Sequence, residues 1–184
     1  NAQRISIHRL LKYPKIGNHR YTSLIKKQQD CFIFNGASNP NTNVKYLPTK
    51  FDLGKAYSLV GASGRGKSQF LKTISGLYLS DDYHDAKMIP ALYVDKDASK
   101  IMHWVRFAST DGAKWSKDAF LAFVHEKIFQ HKFNVIFIDE ALTDFDLTTV
   151  NEILKDIQGY ISQFNGLLIF VDHRFVLENV ISIS

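Results

Sequence analysis

With 184 residues, 45% of them hydrophobic and 22% charged, the chain is long enough to bury a core and too apolar to stay disordered. Its apolar runs, such as LLIFV at 167–171, fall far short of the roughly 20 residues that cross a bilayer as a helix. The net charge of +5 includes no basic run longer than Lys26-Lys27, which suits solvating lysines better than a nucleic-acid surface, and the single cysteine, Cys31, has no internal disulfide partner, as fits a reducing cytosol.

In chain order, residues 3–12 carry Ile5, Ile7, Leu10 and Leu11 at a spacing that suits a short helix. Residues 13–30, polar with Pro14 and Gly17, read as a linker. Strands are expected at 31–34 (CFIF), across 43–47 and at 55–60, with the turn-rich NGASNPNTN between the first two. A helix is expected over 66–76, a buried strand at 91–94 (ALYV), and helices over 98–107 and 117–131. VIFI at 135–138 is another buried strand, followed by a helix over 148–164, a strand at 167–171 and a last strand near 180–184. Strands alternating with helices of this length predict an α/β fold, with a mostly parallel central sheet flanked by helices. A small N-terminal antiparallel β part completes it.

The stretch GASGRGKSQF at 61–70 fits G-x-x-x-x-G-K-[ST] at Gly61, Gly66, Lys67 and Ser68. A glycine turn between a strand and a helix lets successive N–H groups point at one anion, and the helix brings its positive end to the same place. Lys67 would reach the β- and γ-phosphates of a nucleotide, and the Ser68 hydroxyl would ligate Mg²⁺. Such a site needs a carboxylate at the end of a neighbouring strand. VIFIDE supplies it, with Asp139 placed to hold the Mg²⁺ shell and Glu140 to orient or deprotonate an attacking water. LLIFVDHRF repeats the geometry and sets Asp172 and His173 at a third strand tip, where a histidine can hydrogen-bond a γ-phosphate.

In these motifs the sequence resembles the nucleotide-binding domain of ABC transporters, a P-loop NTPase. Gly61, Ser63, Gly64, Gly66, Lys67 and Ser68 match that family's own phosphate loop, G-x-S-G-x-G-K-S. VIFIDEALTDFD resembles its Walker B strand, catalytic glutamate (Glu140) and D-loop ending at Asp146, and IFVDHRF resembles the switch-histidine segment, with His173 as the histidine. QRISIHRLLKYP is similar to the segment that joins an exporter's last membrane helix to this domain. The resemblance implies an ATPase motor that couples ATP hydrolysis to transmembrane export. ATP would be bound by Gly61, Ser63, Gly64, Arg65, Gly66, Lys67, Ser68 and Gln69, and Mg²⁺ by Ser68 and Asp139. Lys67, Glu140 and His173 would be catalytic. Residues 1–30 would then be a helix and linker from a preceding membrane domain, and 31–184 the ATP-binding domain, held at the cytoplasmic side of the membrane. Its partners would be that membrane domain and a second nucleotide-binding domain, not nucleic acid.

The departures from the family pattern are specific. Its signature L-S-G-G-Q should fall at WSKDA, 115–119, where only Ser116 survives. Lys117 and Asp118 replace two glycines, and Asp118 repels a phosphate. Fifteen residues separate Lys96, nearest the expected Q-loop glutamine, from Gly112, so the helical subdomain, about 97–131, is reduced. No aromatic stands beside Asn39-Pro40 to stack on adenine, and Tyr46 suits core packing better. These losses raise an alternative, a degenerate, non-hydrolysing regulatory half of such a transporter. A small-metabolite kinase would need lid arginines, and 97–115 holds only Arg106. A DNA-associated ABC ATPase would need a long coiled-coil insertion where this chain is short.

Overall fold

The computed structural model describes residues 16–18, 23–38, 44–61, 65–75, 91–94, 100–105, 116–143 and 145–183. In chain order the strands are β1 (Ile16–Asn18), β2 (Ile25–Lys27), β3 (Cys31–Phe34), β4 (Ala37–Ser38), β5 (Lys45–Tyr46), β6 (Thr49–Asp52) and β7 (Lys55–Gly61). Then come β8 (Ala91–Val94), β9 (Lys100–Val105), β10 (Val135–Asp139), β11 (Leu167–Val171) and β12 (Asn179–Ile183). The α-helices are α1 (Arg65–Ser75), α2 (Lys117–Phe123) and α3 (Leu147–Phe164), and α2 runs on as a π-helix over Val124–Phe129.

A seven-stranded sheet has the order β1-β8-β9-β10-β11-β7-β12. Its five neighbours from β9 to β12 are all parallel, while β8 runs antiparallel to β9. A three-stranded antiparallel sheet, β2-β3-β6, and the β4-β5 pair form the smaller β part.

The strand period of two sorts the core into two layers. Met102, Trp104, Ile136, Ile138, Leu168 and Phe170 face the layer built by Phe120, Phe123, Val150, Ile153 and Ile157 of α2 and α3. Ile101, Val135, Phe137, Leu167, Ile169 and Val171 face the opposite layer, with Phe70, Leu71 and Ile74 of α1 and Phe32, Phe34 and Phe51 of the small sheet. Each large side chain fully removed from water contributes roughly 1.5–3 kcal/mol. Because β10 and β11 are buried on both faces, their side chains form unbroken apolar runs, in β10 as far as Ile138. α3 is held by buried Val150, Ile153, Leu154, Ile157, Tyr160 and Ile161, one stripe at helical spacing. Asp146 caps its start, and Asn165, left-handed at φ 54°, ends it.

Four expectations change. Residues 98–107, expected as a helix, contain β9 instead, so this part of the reduced helical subdomain belongs to the central sheet. Ile101, Met102, His103 and Trp104 are all buried, and a short run buried on both faces carries no period to separate strand from helix. The expected linker at 13–30 contains β1, which pairs with β8, and β2, which pairs with β3. β6 was not expected, because Thr49–Asp52 is mostly polar and only Phe51 is fully buried. The helix expected over 117–131 is half π-helical. The helix expected over 3–12 lies outside the described residues.

Candidate functional site

The parallel strands β7, β10 and β11 end at one edge of the sheet. Ser58 is level with Phe170 and Phe170 with Ile138, so Asp139 ends β10 beside Val171. Gly61 ends β7, which is separated from β10 by β11 alone. In α/β sheets of this kind ligands bind outside the carboxyl ends of the strands.

Asp139 shares a face of β10 with Val135 and Phe137, the face that packs on α1. The Ser68 hydroxyl, in the first turn of α1, lies beside the Asp139 carboxylate, close enough to stabilise its charge. Asp139 is 3% exposed, and its Oδ2 is buried without a hydrogen-bond partner. Burial raises its pKa above the usual carboxylate value and the Glu140 charge adds to the rise, against the opposing pull of Ser68, Lys72 and Lys67. A hydroxyl beside a buried carboxylate with an oxygen left over is a donor set that fits Mg²⁺. Sequence reasoning missed Lys72. It stands four residues after Ser68 and so on the same face of α1, a spacing that could have revealed it.

Lys67, Ser68 and Gln69 are half-buried at the start of α1. The Gly66 carbonyl accepts a bond from the Tyr46 hydroxyl (3.4 Å), while a Cβ at Gly66 would meet nothing within 4 Å. Tyr46 itself is 3% exposed and packs edge-on against Phe70, a core role as expected. Ser63 and Gly64 lie outside the described residues, and of Arg65 only the backbone is described.

Glu140 follows Asp139 with a left-handed backbone, φ 55°. Its amide donates to the Val171 carbonyl (2.8 Å), and its own carbonyl accepts from the Thr143 hydroxyl (3.1 Å). At the tip of β11, Asp172 is buried and His173 exposed. Burial pushes the Asp172 carboxyl upward, but the hydrogen bonds and charge of Arg174, with His173 adding, hold it below the usual range. The structure therefore brings Lys67, Ser68, Asp139 and Glu140 together at one edge, with His173 at the adjoining strand tip.

Of the segment where the signature was sought, Ser116 caps α2 by accepting from the Ala119 amide (3.1 Å). Lys117 is ion-paired with Glu152 of α3, and Asp118 is exposed. Lys96, Gly112 and Trp115 lie outside the described residues. Among the described residues, no helix is long and apolar enough to cross a membrane. No protein-family model matches the sequence, and no curated protein matches it.

Proposed function

We propose that the chain is an ATP-binding and hydrolysing P-loop domain of the ABC type, the motor of a transmembrane exporter. One observation carries this reading: the Ser68 hydroxyl of the glycine-loop helix meets the buried Asp139 carboxylate at the end of VIFID, and an oxygen of that carboxylate has no partner. Two motifs 71 positions apart, at 68 and 139, supply the two protein ligands that a nucleotide-bound Mg²⁺ takes. Magnesium, when bound, would neutralise charge on the β- and γ-phosphates. Lys67 would bind those phosphates, with Gly61, Gly66 and the amides of α1 lining the anion. Glu140 would orient the attacking water and accept its proton, and His173 would donate to the γ-phosphate. The working assembly would pair this domain with a membrane domain and with a second nucleotide-binding domain, on the cytoplasmic side of the membrane.

A second reading, a nucleotide-binding half that does not itself complete a partner's site, is favoured by α2. Its N-terminus is capped by its own Ser116, Asp118 stands in the first turn, and Lys117 is engaged by Glu152. None of these offers a γ-phosphate the bare backbone that glycines would.

Mg²⁺-dependent ATP binding and turnover of the chain, alone and with a partner domain, test both readings. Glu140→Gln should retain ATP binding and lower turnover by about 10²–10⁴-fold, the usual contribution of a general base. Unchanged turnover would remove Glu140 from the mechanism, and binding without turnover in any assembly would favour the second reading.

A further inference from the structure

We propose that Arg174 is a positioning residue, clamping the turn after Glu140 to the tip of β11 so that Glu140 and His173 stay in fixed relation. The proposal rests on the ATPase reading above for its consequence, but its geometry stands apart from nucleotide.

The guanidinium of Arg174 spans two segments. Toward its own strand tip, Nε donates to Asp172 Oδ1 (3.2 Å) and Nη2 to Oδ2 (3.1 Å), while the Arg174 backbone amide also donates to Oδ1 (2.8 Å). Toward the turn, Nη1 donates to the Phe145 carbonyl (2.9 Å) and Nη2 to the Leu142 carbonyl (3.1 Å). Only a planar fork of N–H groups can face a carboxylate and two carbonyls at once, and lysine has no such geometry. The Asp172 side chain is 0% exposed and that of Arg174 27%, so water competes weakly for these bonds. Both carbonyls belong to an irregular turn outside the strand ladders; that of Leu142 also accepts from the Phe145 amide (3.1 Å), so the guanidinium is its second donor.

The turn is fixed at its beginning as well. Glu140 donates its amide to Val171, the residue before Asp172. Thus Glu140, Leu142 and Phe145 are each tied to the β11 tip, and His173 sits between the two residues of the clamp. Its backbone is held on both sides while its ring remains exposed. A displacement of one tip is passed to the other through these bonds. Loosening the clamp leaves Lys67 and Ser68 untouched, so phosphate binding should survive while the water-activating geometry does not.

Amide hydrogen exchange of the full chain without nucleotide, followed by Mg-ATP kinetics, tests this in Arg174→Met, Arg174→Lys and the double variant Asp172→Asn/Arg174→Met. The double variant leaves no buried charge unpaired, which keeps the test open if Arg174→Met does not fold. Exchange across 141–145 should rise at least tenfold, with β10 and the body of α3 unchanged. The value of kcat should fall at least tenfold while KM for ATP stays within twofold, and Arg174→Lys should not restore either. Unaltered exchange in the turn of a folded variant overturns the clamp. Faster exchange with unaltered kcat overturns its positioning role. If wild-type turnover is absent, or indifferent to Glu140→Gln, the ATPase reading fails, whereas the exchange result still decides whether the clamp holds.

Discussion

The amide of Glu140 donates to the carbonyl of Val171 at 2.8 Å, joining the tips of two strands whose sequences lie on either side of an 18-residue helix. To make that bond the backbone of Glu140 turns left-handed, at φ 55°, a conformation that costs most L-residues about 1–2 kcal/mol. Its carboxylate also sits beside the buried Asp139 charge.

Both features predict that Glu140→Asn stabilises the fold. Asparagine tolerates the left-handed region and removes the repulsion, so a gain of up to about 1 kcal/mol is expected. Urea denaturation measures it. A loss of stability would show that the Glu140 carboxylate makes structural bonds of its own.

Much of this edge was legible in the sequence, because an apolar run ending in a carboxylate is a strong pattern. VIFID and LLIFV announced β10 and β11, and the strand–glycine–helix order announced β7 and α1. Two features were not legible. Within KIMHWV, the residues Ile101, Met102, His103 and Trp104 are buried on both faces of β9 and have no period to oppose a helix. The contacts of Arg174 with Leu142 and Phe145 join residues about thirty positions apart, and only the juxtaposition of two strand tips brings them together. Lys72 lay between these cases, since its helical spacing from Ser68 was visible but its nearness to Asp139 depended on which face of α1 meets the sheet.

His103 predicts an acid-sensitive fold. It lies on the α1 face of β9, edge-on to Phe137 with ring centroids 5.6 Å apart, and is 2% exposed. Burial first, and the Lys72 charge second, push its pKa from 6.5 down to about 3. The folded chain therefore favours neutral imidazole, and unfolding takes up a proton anywhere between those two values. This contribution to stability is complete above pH 6.5 and is lost as pH falls toward 3, at up to about 1.4 kcal/mol per pH unit. Asp172, held below the usual carboxylate range, keeps its own contribution until lower pH, while Asp139, raised above it, works in the opposite sense, so the difference between wild type and a His103 variant from pH 6.5 to 4.5 isolates the histidine. His103→Leu should flatten the denaturation midpoint over that interval. A slope identical to wild type would assign the acid sensitivity elsewhere.

Gly166 predicts a purely structural lesion. It joins α3 to β11, where a Cβ would lie 2.7 Å from the Asn134 carbonyl oxygen, a backbone atom with little freedom to retreat. The Gly166 carbonyl accepts from the Gly54 amide at 2.7 Å, and the Leu167 amide donates to that same Asn134 oxygen at 2.8 Å. Gly166→Ala must separate strands that these bonds hold together, at a cost of about 1–3 kcal/mol. The melting temperature should fall while Mg-ATP affinity, measured well below the transition, is unchanged. Equal stability would mean that the junction can shift without loss.

Asp139 sets stability against function most directly. Burial and the neighbouring Glu140 charge raise its pKa, so the folded state disfavours the ionised carboxylate that a metal requires. By linkage the folded chain holds this proton more tightly than the unfolded one, and stability is lost as pH rises from the ordinary carboxylate pKa through the raised value. Above the raised value the whole of that penalty is present without metal. Asp139→Asn keeps the shape and an oxygen for the Ser68 hydroxyl while deleting the charge, so the metal-free variant should melt higher than wild type. Wild type should gain stability on adding Mg²⁺ with a non-hydrolysable ATP analogue, since a ligand that binds only the folded state stabilises it by mass action. The variant should lose the Mg²⁺-dependent part of that gain. If Asp139→Asn melts lower than metal-free wild type, the carboxylate is a structural partner of Ser68 and its unpartnered oxygen is not held for a cation.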